Sequence, residues 1–167
     1  MTILNHDELA RTVTDAGKLL LENGAETNRV EDTMTRLCYA FGASIVDAYA
    51  TPTLLMISFT LNDQLVHNIK RVHISETNLS KIDEVNTLSR EACSGKITFE
   101  QLQKSLDEIK NQKAYSTAFK LCGAAITSFG FALFFGGTVL DALCSLVIGI
   151  LVQMAVTFFT QIHVSSI

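Results

Sequence analysis

Charge is distributed along this chain in a way that an ordinary water-soluble fold does not show. Of its 30 charged residues, 28 lie at or before Lys113, and the 54 positions that follow hold only Lys120 and Asp141. A soluble domain spreads charge over every surface element, because its exposed side chains meet water all round. A stretch this long without charge is built for lipid. Crossing about 30 Å of hydrocarbon at a rise of about 1.5 Å takes about 20 residues. Positions 121–140 and 142–162 supply 20 and 21 uncharged residues, separated only by Asp141, and Gly136-Gly137-Thr138 offers a reversal. The expectation is a hairpin of two transmembrane helices at about 115–136 and 139–162. The competing reading, a long buried helix of a soluble core, fits two such stretches in succession poorly.

Basic residues give the pair a direction. Lys104, Lys110, Lys113 and Lys120 precede the first span and the turn carries no Lys or Arg, so the segment before it is expected in the cytoplasm. Lys120 can reach back to that interface with its ammonium. The first seven residues lack a basic region and an apolar run, so no cleavable signal is expected.

Both spans carry patterned rows. Ala124, Ser128, Ala132 and Gly136 recur at steps of four, small residues of the kind that let membrane helices approach closely. Asp141, Ser145, Gly149, Gln153, Thr157 and Gln161 recur at the same step. That second row reads either as interhelical glue or as part of a polar path with Asp141 near its outer mouth, since ionisable residues in such segments often serve function.

The first 112 residues read as a separate α+β domain in the order αα-βββ-αα. Helical periods run over 6–23 and over 27–41, where Val30, Met34, Leu37, Cys38 and Phe41 form one apolar stripe; Asn23-Gly24 and Gly42 stop them. Arg29, Asp32 and Arg36 lie on the opposite face, spaced to pair. Alternation over 44–50, a Thr51-Pro52-Thr53 break, and a run over 53–61 apolar on both faces point to two strands, the second buried and central. Asn62-Asp63 reads as a turn, 66–74 as a third strand, and 79–93 and 99–111 as helices; Gly95 stops the first of these and Thr98 with Gln101 starts the second.

Several function classes drop out. A net charge of −4 and pI near 5.5 leave no dense basic face for nucleic acid. No phosphate-binding glycine loop occurs, so no ATPase within this chain powers transport, and no serine nucleophile elbow or zinc-helix pattern is present. We therefore assign no catalytic residue, cofactor or metal. His67 and His73 stand six residues apart on one strand, about 20 Å, too far to share a metal. Cys38, Cys93, Cys122 and Cys144 lack metal-type spacing and are expected to be reduced, small, buried side chains. The acidic and basic cluster Gly24-Ala25-Glu26 with Arg29-Val30-Glu31-Asp32 reads as an ordinary helix start, or as a polar site where two helices meet the Thr51-Pro52-Thr53 turn.

Taken in order, Gly24-Ala25-Glu26, Arg29-Val30-Glu31-Asp32, Thr51-Pro52-Thr53, Arg71-Val72, Asn86, Ser89-Arg90 and Phe134-Phe135-Gly136-Gly137 before Asp141 resemble the threonine/serine exporter family. The resemblance covers nearly the whole chain and is closest to shorter, split members that work with a second, smaller membrane subunit. One such pair is associated with export of dicarboxylates such as succinate. The resemblance implies a multi-pass secondary exporter of amino acids or small organic acids in the bacterial inner membrane, driven by ion gradients. Family members carry further membrane helices, so 113–167 is expected to open a longer membrane domain. Partners implied are the small-molecule substrate, the bilayer, and a second membrane subunit or further copies of the chain. Candidate substrate-sensing or conformational residues are Glu26, Arg29, Glu31, Asp32, Thr51, Pro52, Arg71 and Arg90; candidates in the membrane are Gly136, Gly137, Asp141 and Gln153. A membrane-tethered regulatory or interaction domain is the alternative.

Overall fold

Helix stop signals divide the chain before packing does. In the computed structural model, which describes residues 5–73, 77–112 and 115–161, the chain falls into two compact units, Met1–Gln112 and Lys113–Ile167. The first contains α1 (His6–Glu22), α2 (Thr27–Ala40), β1 (Ser44–Thr51), β2 (Leu54–Leu61), β3 (Gln64–Arg71), α3 (Leu79–Cys93) and α4 (Phe99–Lys110). Asn5 opens α1 by accepting the Asp7 N–H at 3.1 Å. Its end is a left-handed turn at Gly24 (φ +89°), where Gly24 N–H reaches Leu21 O and Ala25 N–H reaches Leu20 O. That paired pattern satisfies carbonyls the helix leaves open. The expected capping box holds Thr98 and Gln101 at the start of α4.

The strands form one antiparallel sheet in the order β1-β2-β3. Asn62 and Asp63 both take positive φ, 49° and 61°, the conformation a two-residue hairpin turn requires. Because that turn sets Gln64 opposite Leu61, β3 begins two residues ahead of the position the apolar run indicates; Ile74, the expected end, lies outside the described residues. The central strand also differs from expectation. Leu55, Ile57, Phe59 and Leu61 are buried, but Met56 on the other face is 40% exposed. α1 packs on β2 and β3 and α2 on β1, and burial alternates along β2, so only one face is covered. Across this interface Asn68 Nδ2 donates to Thr14 Oγ1 (2.9 Å) and Lys70 pairs with Asp15. Gln103 Nε2 on α4 donates to Thr12 Oγ1 on α1 at 3.1 Å.

All four cysteines are free, but only Cys38 is buried; Cys93, Cys122 and Cys144 are exposed, correcting the expectation of buried thiols. Cys38 occupies the apolar stripe of α2, whereas Cys93 falls on the polar edge of α3. Burial pushes the Cys38 thiol up to about 12, and below that value the folded protein keeps it protonated and unreactive. At pH 8 a small maleimide should therefore modify Cys93 at least ten times faster than Cys38, read by peptide mass mapping; comparable rates would contradict the packing of α2.

The second unit is α5 (Thr117–Phe134) and α6 (Val139–Gln161), about 27 and 34 Å long at ~1.5 Å per residue. Among the described residues α5 has none buried and α6 only Ala142, unlike the mostly buried core helix of a soluble protein. Phe131, Phe134, Ile148, Leu151 and Phe158 stand exposed. The small residues form the seam instead: a Cβ on Gly149 would lie 1.9 Å from Ser128 Oγ and 3.0 Å from Ala124 O. Two helices that are long and apolar enough to cross a membrane thus pack through their small rows.

Candidate functional site

The polar faces of α2 and α3 meet over a cleft of about 400 Å³. On α2, Arg29, Asp32, Thr33 and Arg36 recur at i, i+3, i+4, i+7; on α3, Asn86, Ser89, Arg90 and Cys93 do the same. Residues at that spacing share one side of a helix. These stripes lie beside the ones that build the core, Val30, Met34 and Leu37 on α2 and Ile82, Val85 and Leu88 on α3, so packing the apolar stripes brings the polar ones together.

Three guanidinium groups border the cleft. Arg36 Nε donates to Asp32 Oδ1 at 2.9 Å, an exposed pair one helical turn apart. Arg90 Nη2 donates to Thr87 Oγ1 at 2.7 Å. Arg29 makes no side-chain hydrogen bond or ion pair among the described residues. The sequence allows Arg29 to pair with Asp32, but the carboxylate goes to Arg36. Thr33 turns its hydroxyl onto the Arg29 carbonyl at 2.8 Å.

Of the expected site residues, the fold gathers Arg29, Asp32 and Arg90 here and sends the others elsewhere. Glu31 points away from the cleft, its Oε1 accepting the Ala50 N–H at 2.8 Å and so tying α2 to the outer edge of β1. Thr51 and Pro52 form the β1–β2 hairpin, where Thr51 Oγ1 accepts the Leu54 N–H at 3.1 Å. Arg71 sits opposite Leu54 in β3 and is exposed. Glu26 is the exposed residue before α2, with no side-chain cap; its carbonyl accepts from Arg29 and Val30. The lining of the α2–α3 cleft includes none of Thr51, Pro52 and Thr53. Thr33, Arg36, Asn86, Ser89 and Cys93 are additions that the paired stripes could have supplied, and Ser94 is one that lies outside them. Ala50 is buried, so removing its carboxylate acceptor leaves an N–H unsatisfied. Glu31→Ala should cost about 1–3 kcal/mol and Glu31→Gln, which keeps an acceptor, clearly less; equal thermal midpoints for both variants would contradict this role.

In the second unit the four candidates have local tasks. Gly136 takes φ +83°, and a Cβ on Gly137 would lie 2.8 Å from the Ala132 carbonyl, so both shape the turn. Asp141 Oδ2 accepts from the Thr138 N–H (2.8 Å) and hydroxyl (2.7 Å), and its own N–H reaches Thr138 Oγ1 at 3.3 Å, a reciprocal cap on α6. Gln153 is half-buried, its amide 3.4 Å from Thr157 Oγ1. Ser145, Gly149, Gln153 and Thr157 are all half-buried on the α5 side of α6. Among the described residues, no group of three His, Cys, Asp or Glu could hold a metal.

A family model described as "Putative threonine/serine exporter" matches residues 11–167, both units together. No curated protein and no solved structure matches the chain.

Proposed function

Since this chain belongs to the threonine/serine exporter family, we propose that it is one part of a secondary exporter, with α5 and α6 crossing the bacterial inner membrane and residues 1–112 forming a domain on the cytoplasmic side. The observation that carries this reading is a family match running through both units. The exposed apolar surface of α5 and α6 supports insertion, and Lys104, Lys110, Lys113 and Lys120 ahead of the first span support the direction. Substrates of the family's kind are threonine and serine; small dicarboxylates such as succinate are the second class to try.

Two helices do not enclose a substrate path, which in transporters forms between several helices or repeats. The path is therefore shared with further membrane helices, whether of a longer membrane domain, a second membrane subunit or further copies of the chain. Within the pair, Asp141 and Gln153 are the polar positions that could face it, and Gly136 and Gly137 keep the turn tight. On the cytoplasmic side Arg29, Asp32 and Arg90 form a sensing surface. Glu26, Glu31, Thr51, Pro52 and Arg71 set the conformation of the elements around it.

Efflux of preloaded threonine, serine or succinate, from cells making this chain with and without a candidate partner subunit, tests the proposal. Faster efflux of at least one solute than from cells lacking the chain is the expected result. Unchanged efflux in every combination, with the chain inserted, would favour a membrane-tethered regulatory domain. That second reading has one observation in its favour: the α5–α6 seam is filled by its own side chains, Gly149 lying against Ser128. Because Asp141 already caps α6, Asp141→Asn is expected to lower efflux less than threefold; a complete loss would instead place its charge on the solute's route.

A further inference from the structure

We propose that the α2–α3 cleft is a binding site for a small, doubly charged oxyanion, a metabolite carrying carboxylate or phosphate groups. It deepens the sensing role suggested for this surface and rests on that reading for its purpose only; binding itself can be measured without transport.

The charge balance comes first. Arg29, Arg36 and Arg90 face a cleft whose only acidic lining residue is Asp32, which leaves two positive charges in excess. They gather on a chain whose net charge is −4, so the site is a local exception to the protein's own field. Asp32 is held by Arg36 through a single Nε contact, while Arg29 makes no side-chain contact of this kind among the described residues. A guanidinium presents paired N–H groups in a rigid fork that matches the two oxygens of a carboxylate or phosphate.

The neutral lining points the same way. Ser89 is only 7% exposed, borders the cleft, and its hydroxyl has no hydrogen-bond partner among the described residues. The half-buried Asn86 amide, one turn earlier, is in the same position. Among the described residues no side-chain polar atom that is itself buried lacks a partner, so both groups are open to the solvent of the cleft and free to donate. By contrast Thr33, equally buried, satisfies itself on the Arg29 carbonyl. Two unused neutral donors beside an uncommitted guanidinium make a set suited to an oxygen-rich anion. A volume of about 400 Å³ is within the range of sites that hold small metabolites. The excess of two charges matches a dianion better than a monocarboxylate.

Cys93 lies on the cleft wall, exposed and free, and reports occupancy. The test uses the purified full chain in detergent and follows maleimide modification of Cys93 by peptide mapping, in malonate, inorganic phosphate or chloride at matched ionic strength. Malonate or phosphate at millimolar concentration is expected to slow modification at least fivefold relative to chloride, with Cys122 unaffected. The more protective of the two identifies the carboxylate or the phosphate as the source of the oxyanion. Arg29→Ala and Arg90→Ala, both exposed positions, should each raise the protecting concentration at least tenfold, and Arg29→Lys should do so by less because it keeps the charge without the fork. Thermal unfolding of each variant shows that it is folded. Equal rates in all three salts would overturn the proposal, as would protection that survives in the Arg29→Ala/Arg90→Ala double variant. Protection in a chain that exports nothing would support the cleft and count against the exporter reading alone, so the two failures are distinct.

Discussion

Gly149→Leu will disrupt the packing of α5 on α6. A Cβ at this position already lies 1.9 Å from Ser128 Oγ, 2.8 Å from Ser128 Cβ and 3.0 Å from the Ala124 carbonyl. The last of these is backbone, so a rotamer change cannot clear the way. Overpacking ordinarily costs about 1–3 kcal/mol, and leucine on a helix–helix contact made by close backbone approach should reach or pass the top of that range. The chain in detergent should lose its thermal transition or show it at least 10 °C lower. Two internal controls separate this from a general effect of apolar bulk. Gly123 and Gly130 have nothing within 4 Å of a built Cβ, so leucine there should shift the midpoint by no more than about 2–3 °C, the size of a neutral surface change. The milder Gly149→Ala should be partly rescued by Ser128→Gly, which removes the nearest atoms. Equal effects at 123, 130 and 149 would contradict the seam.

The largest effect in the first unit is expected from Phe59→Ala. Phe59 is fully buried at the centre of β2, with Leu55 and Ile57 beside it on the same face. Phenylalanine-to-alanine changes in such sites cost about 3–5 kcal/mol, through lost transfer energy and the cavity left behind. That is a large part of the roughly 5–15 kcal/mol that holds an ordinary domain folded. Met56 is one strand position inside the same run but 40% exposed, and Met56→Ala should cost less than about 1 kcal/mol. Modification of Cys38, inert while α2 is packed, gives the readout: the temperature at which it begins to react should fall sharply for Phe59→Ala and hardly at all for Met56→Ala. Similar shifts for both would mean that the sheet is covered on two faces.

These two sites also mark what could be read from residue order and what could not. The apolar periods placed every helix of the first unit within a residue or two, because a stripe such as Val30, Met34, Leu37 and Cys38 is written in the spacing itself. Turns announced themselves through Asn62-Asp63 and the glycines after α1, α2 and α3, where a left-handed residue is needed. Met56 defeated the reading of β2, since an apolar side chain in a central strand looks the same whether or not a second layer covers it. Cys93 went wrong for a related reason: composition favours buried thiols, but its place three and four residues from Arg90 and Ser89 puts it on the polar edge of α3. The cleft needed three-dimensional information. Arg29 and Arg90 lie 61 positions apart, and each polar stripe taken alone is a solvated helix face. Only the packing of α2 against α3 turns the two stripes toward each other. Glu31 shows the reverse, a charge in the same sequence cluster that leaves the cleft because the edge of β1 offers it a buried N–H.

The sidedness of Cys93 tests the central claim most directly. Cells making the chain are treated with a membrane-impermeant maleimide, either intact or as inverted membrane vesicles, and the membranes are washed with alkaline carbonate. A chain seated in the bilayer by α5 and α6, with its first unit in the cytoplasm, will stay in the pellet and be modified at Cys93 in the vesicles alone. Release into the wash, or modification of Cys93 in intact cells, would contradict it.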